Sequence, residues 1–137
     1  MIATVLMCLG AAIPFVLGAL HVAYTFSGPK LLPRDPAVRD AMSRTPLVIT
    51  KETTVWRAWV GFNASHGMGA MLFGLIYGYL ATAHPALLFG SPFLLLVGLA
   101  MLGGFLVLAR RYWFSVPLRG VAVSLALYVA SIVASLL

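Results

Sequence analysis

The segment Trp56-Arg-Ala-Trp59-Val-Gly-Phe-Asn63-Ala-Ser-His66-Gly67 decides how the rest of this chain is interpreted. On a helix at about 100° per residue, its polar and small side chains fall along one line that continues in both directions. This polar stripe comprises Glu52, Trp56, Trp59, Asn63, His66, Gly67, Ala70, Gly74 and Tyr77. The remaining positions are almost all apolar, and the side that carries Ser65 is predicted to face away from the stripe. Such a pattern is typical of a helix embedded in a lipid bilayer, with the stripe turned towards other helices.

The composition excludes a water-soluble globular domain. Of the 137 residues, 62% are hydrophobic and 9% are charged, whereas a soluble domain has about 25% charged residues. This length has room for one domain, so residues 1–137 are predicted to form a single transmembrane domain. The net charge of +6 comes from basic residues in loops between apolar runs. That pattern fits anionic lipid head groups, and no nucleic-acid partner is predicted.

Four apolar runs predict an all-α membrane protein, a four-transmembrane-helix antiparallel bundle. Each run supplies about the 20 residues that cross a hydrocarbon core. The spans are predicted at about residues 2–26, 55–83, 90–109 and 118–137. In the loop after the first span, Asp35-Pro36 predicts the start of a short helix that reaches about Met42. Its mixed apolar and basic side chains place it at the membrane interface.

The distribution of positive charge predicts the orientation. All nine Lys and Arg residues lie between the first two spans, between the last two, or at the span ends that touch those loops. They are Lys30, Arg34, Arg39, Arg44, Lys51, Arg57, Arg110, Arg111 and Arg119. The positive-inside rule therefore predicts that both basic loops are cytoplasmic and both termini non-cytoplasmic.

Two histidines are predicted to meet in the cytoplasmic half of the membrane. His21 lies about five residues from the cytoplasmic end of its span and His66 about nine residues from Arg57, or roughly 7 and 13 Å deep at 1.5 Å per residue. Asn63 is one helical turn from His66, so both can contact a common partner. A pocket open to the cytoplasm follows from this placement. Its ligand-binding residues are predicted to be His21, Tyr24, Glu52, Trp56, Trp59, Asn63 and His66.

Three alternatives for this cluster remain open. Ionisable groups are costly to bury in a membrane, which favours a functional site. In the structural alternative, neutral Asn63 and His66 hydrogen-bond across helices and the tryptophans are interface anchors. A metal or haem at His21 and His66 is the third alternative. No metal ligand is predicted, because no motif with ligand spacing is present.

Four segments carry a resemblance to a known group of proteins. They are Gly18-Ala-Leu-His21-Val-Ala-Tyr24, Gly28-Pro-Lys-Leu-Leu-Pro33-Arg-Asp35, Trp56-Arg-Ala-Trp59-Val-Gly-Phe-Asn63-Ala-Ser-His66 and Arg111-Tyr-Trp113-Phe. The chain resembles small four-span bacterial inner-membrane proteins that have no assigned activity. The resemblance implies a bacterial inner-membrane location and four helices; it implies no activity, cofactor or catalytic residue.

Two classes of function follow. The first is a protein that binds a lipid-like or cofactor-like ligand in the polar pocket, or an accessory subunit of a larger membrane complex or homo-oligomer, with membrane lipids as partners. The second is a compact enzyme that acts on a lipid or isoprenoid, with His21 or His66 as acid or base beside Glu52. The absence of a second intramembrane carboxylate favours the first class, and whether the protein is an enzyme stays open.

Overall fold

The computed structural model describes residues 1–137, and its regular secondary structure is helical. The six helices are α1 (Ile2–Phe26), α2 (Pro36–Arg44), α3 (Val55–Ala83), α4 (Pro85–Phe89), α5 (Pro92–Tyr112) and α6 (Ser115–Ser135). The only strand-like pairing is one antiparallel bridge between Pro46 and Thr54. The prediction of an all-α chain is confirmed.

The bounds of the long helices agree with the predicted spans at most ends. α1 and α3 cover the first two predictions, whereas α5 continues to Tyr112 and α6 begins at Ser115. Arg110 and Arg111 therefore form the last turn of α5, where positive charge stabilises the carbonyl end of the helix. The predicted loop between the second and third spans contains the short helix α4, which begins at Pro85.

Local capping explains where the helices in the first half of the chain begin and end. Gly28 has a φ of 81°, a left-handed conformation that ends α1 and that glycine adopts without strain. The Asp35 carboxylate accepts the Ala37 N–H at 2.9 Å and starts α2 as predicted. The Thr54 hydroxyl accepts the N–H of Arg57, so α3 begins only after Thr54. Glu52 consequently lies before the helix, and its predicted place on the polar stripe is wrong.

Three helices have the length and apolar composition that crossing a membrane requires: α1, α5 and α6. This finding indicates a membrane protein. α3 is longer than any of them but is not among the three.

The chain divides into two compact units. Unit 1 comprises Met1–Leu17 and Ala70–Leu137, and unit 2 comprises Gly18–Gly69. α1 and α3 each contribute residues to both units. The single transmembrane domain stays a prediction.

Buried hydroxyl groups join the helices of unit 1. In each case a side-chain hydroxyl on one helix donates to a backbone carbonyl of a neighbouring helix. These bonds join Ser124 to Gly10, Tyr128 to Leu95 and Tyr77 to Leu94 at 2.7, 3.0 and 2.6 Å. Such bonds are a common means of helix association in lipid, where no water competes for the carbonyl.

Unit 1 exposes large apolar side chains and buries hydroxyl groups within a mainly apolar core. Ser124, Tyr128 and Ser131 are completely buried, whereas Phe93 and Leu96 are 72% and 63% exposed. Large apolar side chains on the outside and hydroxyl groups on the inside match a lipid environment. The surface of unit 1 therefore agrees with the membrane assignment.

Close approach of α1 and α3 in unit 1 depends on a glycine. A Cβ at Gly74 would lie 2.6 Å from the Ala11 carbonyl oxygen and from the Phe15 Cβ. These atoms belong to the backbone of α1 or are attached directly to it, so they cannot move aside. Gly78, one turn further along α3, has nothing within 4 Å of the same position. Gly74 is therefore a packing residue, whereas Gly78 lies in open space.

Candidate functional site

Unit 2 contains all seven residues predicted to bind a ligand. It is formed by the last residues of α1, the helix α2, the first part of α3 and the loops between them. Six of the nine basic residues and all three acidic residues of the chain also lie in Gly18–Gly69, which gives a net charge of +3 (six minus three). Unit 2 thus carries nine of the twelve charged side chains of the protein.

His21 and His66 contact each other edge to face. Their ring centroids are 5.2 Å apart and the ring planes are inclined at 80°. The Nε2–H of His21 donates to the Oδ1 atom of Asn63 at 2.9 Å. Asn63 is only 7% exposed. The prediction that these two histidines meet across the first two long helices is confirmed.

Asn63 is held from both ends of its amide group. Its Nδ2 atom donates to the Trp59 carbonyl at 2.8 Å, which turns Oδ1 towards His21. An oxygen acceptor at this position requires a proton on Nε2 of His21. In the neutral ring, Nδ1 then carries the free lone pair and can accept a hydrogen bond from a ligand hydroxyl.

Gly67 permits the close approach of α1 and α3 beside the histidines. A Cβ there would lie 2.9 Å from the Gly18 carbonyl oxygen and 2.7 Å from Cγ2 of Val22. The absence of a side chain at Gly67 lets the two helices come close enough for His21 to reach Asn63 and His66. As predicted for the polar stripe, Asn63 and Gly67 are buried while Ser65 is exposed.

An apolar groove of about 420 Å³ lies in the same unit. Its lining comprises Lys30, Leu31, Leu32, Pro33, Met42 and Trp59. The volume is within the range of about 300–1,000 Å³ that is usual for small-molecule sites. Lys30 supplies the only charged side chain of the lining.

Two cation–π contacts connect the loop and α2 to the longer helices. The Lys30 Nζ atom lies 3.9 Å from the centroid of the Tyr24 ring, near the end of α1. The Arg39 Cζ atom lies 5.2 Å from the Trp56 ring, at the start of α3. Such contacts contribute about 0.5–1 kcal/mol at exposed sites. They hold the groove-forming segments against the ends of α1 and α3.

The structure brings together only some of the predicted site residues. His21, Asn63 and His66 form one cluster, and Trp59 contacts that cluster through its carbonyl and lines the groove. Tyr24 and Trp56 lie beneath basic side chains instead, and Glu52 is exposed in the turn before α3. A ligand-binding role for each of the seven stays a prediction.

Sequence reasoning missed most of the groove. Lys30, Leu31, Leu32, Pro33 and Met42 were not among the predicted site residues. One signal was available: Leu31 and Leu32 form an apolar pair between prolines in a loop that is otherwise polar.

The histidine cluster offers two imidazoles to a metal and no third ligand of the usual types. No group of three or more His, Cys, Asp or Glu side chains is arranged to hold an ion. Metal or haem binding at His21 and His66 stays a prediction.

Searches against protein-family models, curated proteins and solved structures find no match for this chain. The resemblance to four-span bacterial inner-membrane proteins therefore stays a prediction.

Proposed function

We propose that this protein binds a lipid-like or cofactor-like amphiphile at unit 2. One observation carries the proposal: Trp59 belongs to both the groove and the polar cluster. It is one of the residues that line the groove, and its carbonyl accepts the N–H of the Asn63 amide group that contacts His21. An apolar groove beside a few convergent polar groups is the usual composition of a small-molecule site.

In the proposed complex the two parts of the site have different roles. The groove takes the apolar body of the amphiphile, and Nδ1 of His21 accepts a hydrogen bond from a hydroxyl group of its polar end. The enzyme alternative requires a carboxylate beside the histidines. The exposed position of Glu52 before α3 gives that chemistry no support, so binding is the better proposal. Membership of a homo-oligomer or of a larger membrane complex is compatible with it.

We also propose that α3 is a fourth span. In unit 1 it follows α5 in the opposite direction, because Tyr77 contacts Leu94 while Ala70 clusters with Phe105. Its 29 residues correspond to about 43 Å at 1.5 Å per residue. It also exposes Phe62 and other large apolar side chains. With four antiparallel spans, the positive-inside rule favours both basic loops in the cytoplasm, α2 at the interface and both termini outside. The bacterial inner membrane is the location that the sequence resemblance implies.

Purification of the full chain in mild detergent tests ligand binding. Native mass spectrometry identifies bound lipid, while an optical spectrum and metal analysis detect haem or a metal. A bound amphiphile that is lost in His21→Ala and Asn63→Leu, but kept in Ser65→Ala, would support the proposal. Ser65 is a matched control because it lies on the same helix with its side chain exposed. A chain that binds no amphiphile, or binds it equally in all variants, would contradict the proposal.

A further inference from the structure

We infer that the groove of unit 2 selects an anionic phospholipid, with one acyl chain along the apolar lining and the phosphate against Lys30. This inference rests on the proposed amphiphile binding and specifies its ligand class. It depends on three features of the groove: the sign of its charge, the position of Lys30 and the chemistry of its walls.

The charge in and around the groove is positive. Lys30 is the only ionisable residue in the lining, and unit 2 carries three more basic than acidic residues. A zwitterionic head group gains little from this field because its own charges oppose each other. A phosphate with no compensating cation gains about 1 kcal/mol for each lysine or arginine near the surface.

Lys30 is held in position by an aromatic ring. Its Nζ atom lies 3.9 Å from the Tyr24 centroid, so the flexible side chain has a preferred orientation before any ligand arrives. Contact with a ring face leaves the ammonium charge intact and leaves N–H groups available to a phosphate oxygen. The entropy cost of ordering Lys30 on binding is correspondingly smaller.

The other walls of the groove suit a hydrocarbon chain. Leu31, Leu32, Pro33 and Met42 are half-buried, so they already form a surface in the absence of a ligand. Trp59 is 43% exposed and offers a broad, largely apolar ring on the opposite element. Apart from Lys30, no side chain of the lining carries a charge, so the rest of the groove suits a hydrocarbon chain.

Tryptophan fluorescence in lipid nanodiscs tests the inference. Trp56→Phe and Trp113→Phe leave Trp59 as the only reporter, since the chain has three tryptophans, and phenylalanine keeps an aromatic ring for Arg39. The nanodiscs consist of phosphatidylcholine. One set contains brominated phosphatidylglycerol and a second set contains brominated phosphatidylcholine at the same mole fraction. The brominated acyl chains quench the fluorescence of nearby indoles. A control chain with Trp59→Phe and Phe93→Trp in the same background reports bulk lipid, because Phe93 is 72% exposed.

We expect brominated phosphatidylglycerol to bind at Trp59 about fivefold more tightly than brominated phosphatidylcholine, the equivalent of about 1 kcal/mol for one lysine. The preference should vanish in Lys30→Gln, persist in Arg110→Gln, and fall as salt is added. The Phe93→Trp control should show no preference. Circular dichroism and gel filtration of each variant establish that it is folded.

The two possible failures are distinguishable. Equal quenching of Trp59 by both brominated lipids, above that of the Phe93→Trp control, would overturn the anionic selectivity and leave amphiphile binding intact. Quenching of Trp59 no greater than that of the control by either lipid would overturn both. A preference that survives in folded Lys30→Gln would remove Lys30 from the proposal.

Discussion

Units 1 and 2 use polar side chains in different ways. In unit 1 the hydroxyls of Ser124, Tyr128 and Tyr77 donate directly to carbonyls of neighbouring helices, and all three residues are buried. In unit 2 the Asn63 amide joins Trp59 to His21, and the Trp59 ring lines a groove. Polar groups buried in a membrane protein are therefore not equivalent. Those of unit 1 hold helices together, and we assign ligand binding to those of unit 2.

The largest expected effect concerns the membrane topology on which this assignment depends. With four spans, reporter fusions at Arg39 and at Leu137 should give signals from opposite sides of the membrane, Arg39 from the cytoplasm. The contrast is all or none, because a reporter domain lies on one side only. Were α3 not a span, the three remaining spans would leave both positions on the same side. Identical signals from the two fusions would therefore refute the fourth span.

The next largest effect, on stability, concerns two glycines of α3 in unit 1: Gly74, which contacts α1, and Gly78, which lies in open space. Gly74→Leu should destabilise the protein by at least about 3 kcal/mol, at the upper end of overpacking costs, because its Cβ would meet the backbone of α1. Gly78→Leu is the matched control, and its effect should stay within about 0.5 kcal/mol. Thermal unfolding in detergent, followed by circular dichroism, measures both. Similar melting temperatures for the two variants would show that α1 and α3 do not pack closely at Gly74.

A smaller effect on stability, with a large effect on binding, is expected in unit 2. Asn63→Leu removes the hydrogen bond to His21 on α1, of a kind worth about 0.6 kcal/mol on average between membrane helices, and the bond to the Trp59 carbonyl within α3. The variant should unfold at a slightly lower temperature and lose the bound amphiphile. Co-purifying lipid and melting temperature are measured on the same sample. If stability falls and binding is unchanged, the cluster is structural, and unit 2 does not differ from unit 1.

The smallest effect is expected at a hydroxyl of unit 1. Ser124→Ala removes one bond to the Gly10 carbonyl and should cost about 0.6 kcal/mol, with the co-purifying amphiphile unchanged. The same mass-spectrometric assay serves as the readout. Loss of the amphiphile from folded Ser124→Ala would mean that unit 1 also takes part in binding.

The parts of the site that lie on a single helix could be predicted from the sequence. Which residues of α3 share a face depends on the helical repeat, so the common burial of Asn63, Gly67 and Tyr77 and the exposure of Ser65 follow from their spacing. Trp59 lies on the same stripe but is 43% exposed. The meeting of His21 with His66 needed one further assumption, that consecutive long helices run antiparallel.

Other features were decided by the tertiary structure. The groove depends on the path of a loop, which is held by Lys30 on Tyr24, by Arg39 on Trp56 and by the bridge at Pro46. Periodicity describes only residues within one regular element. Contacts between a loop and the ends of two helices leave no periodic signal in the sequence, and so the groove was visible only once the chain had folded.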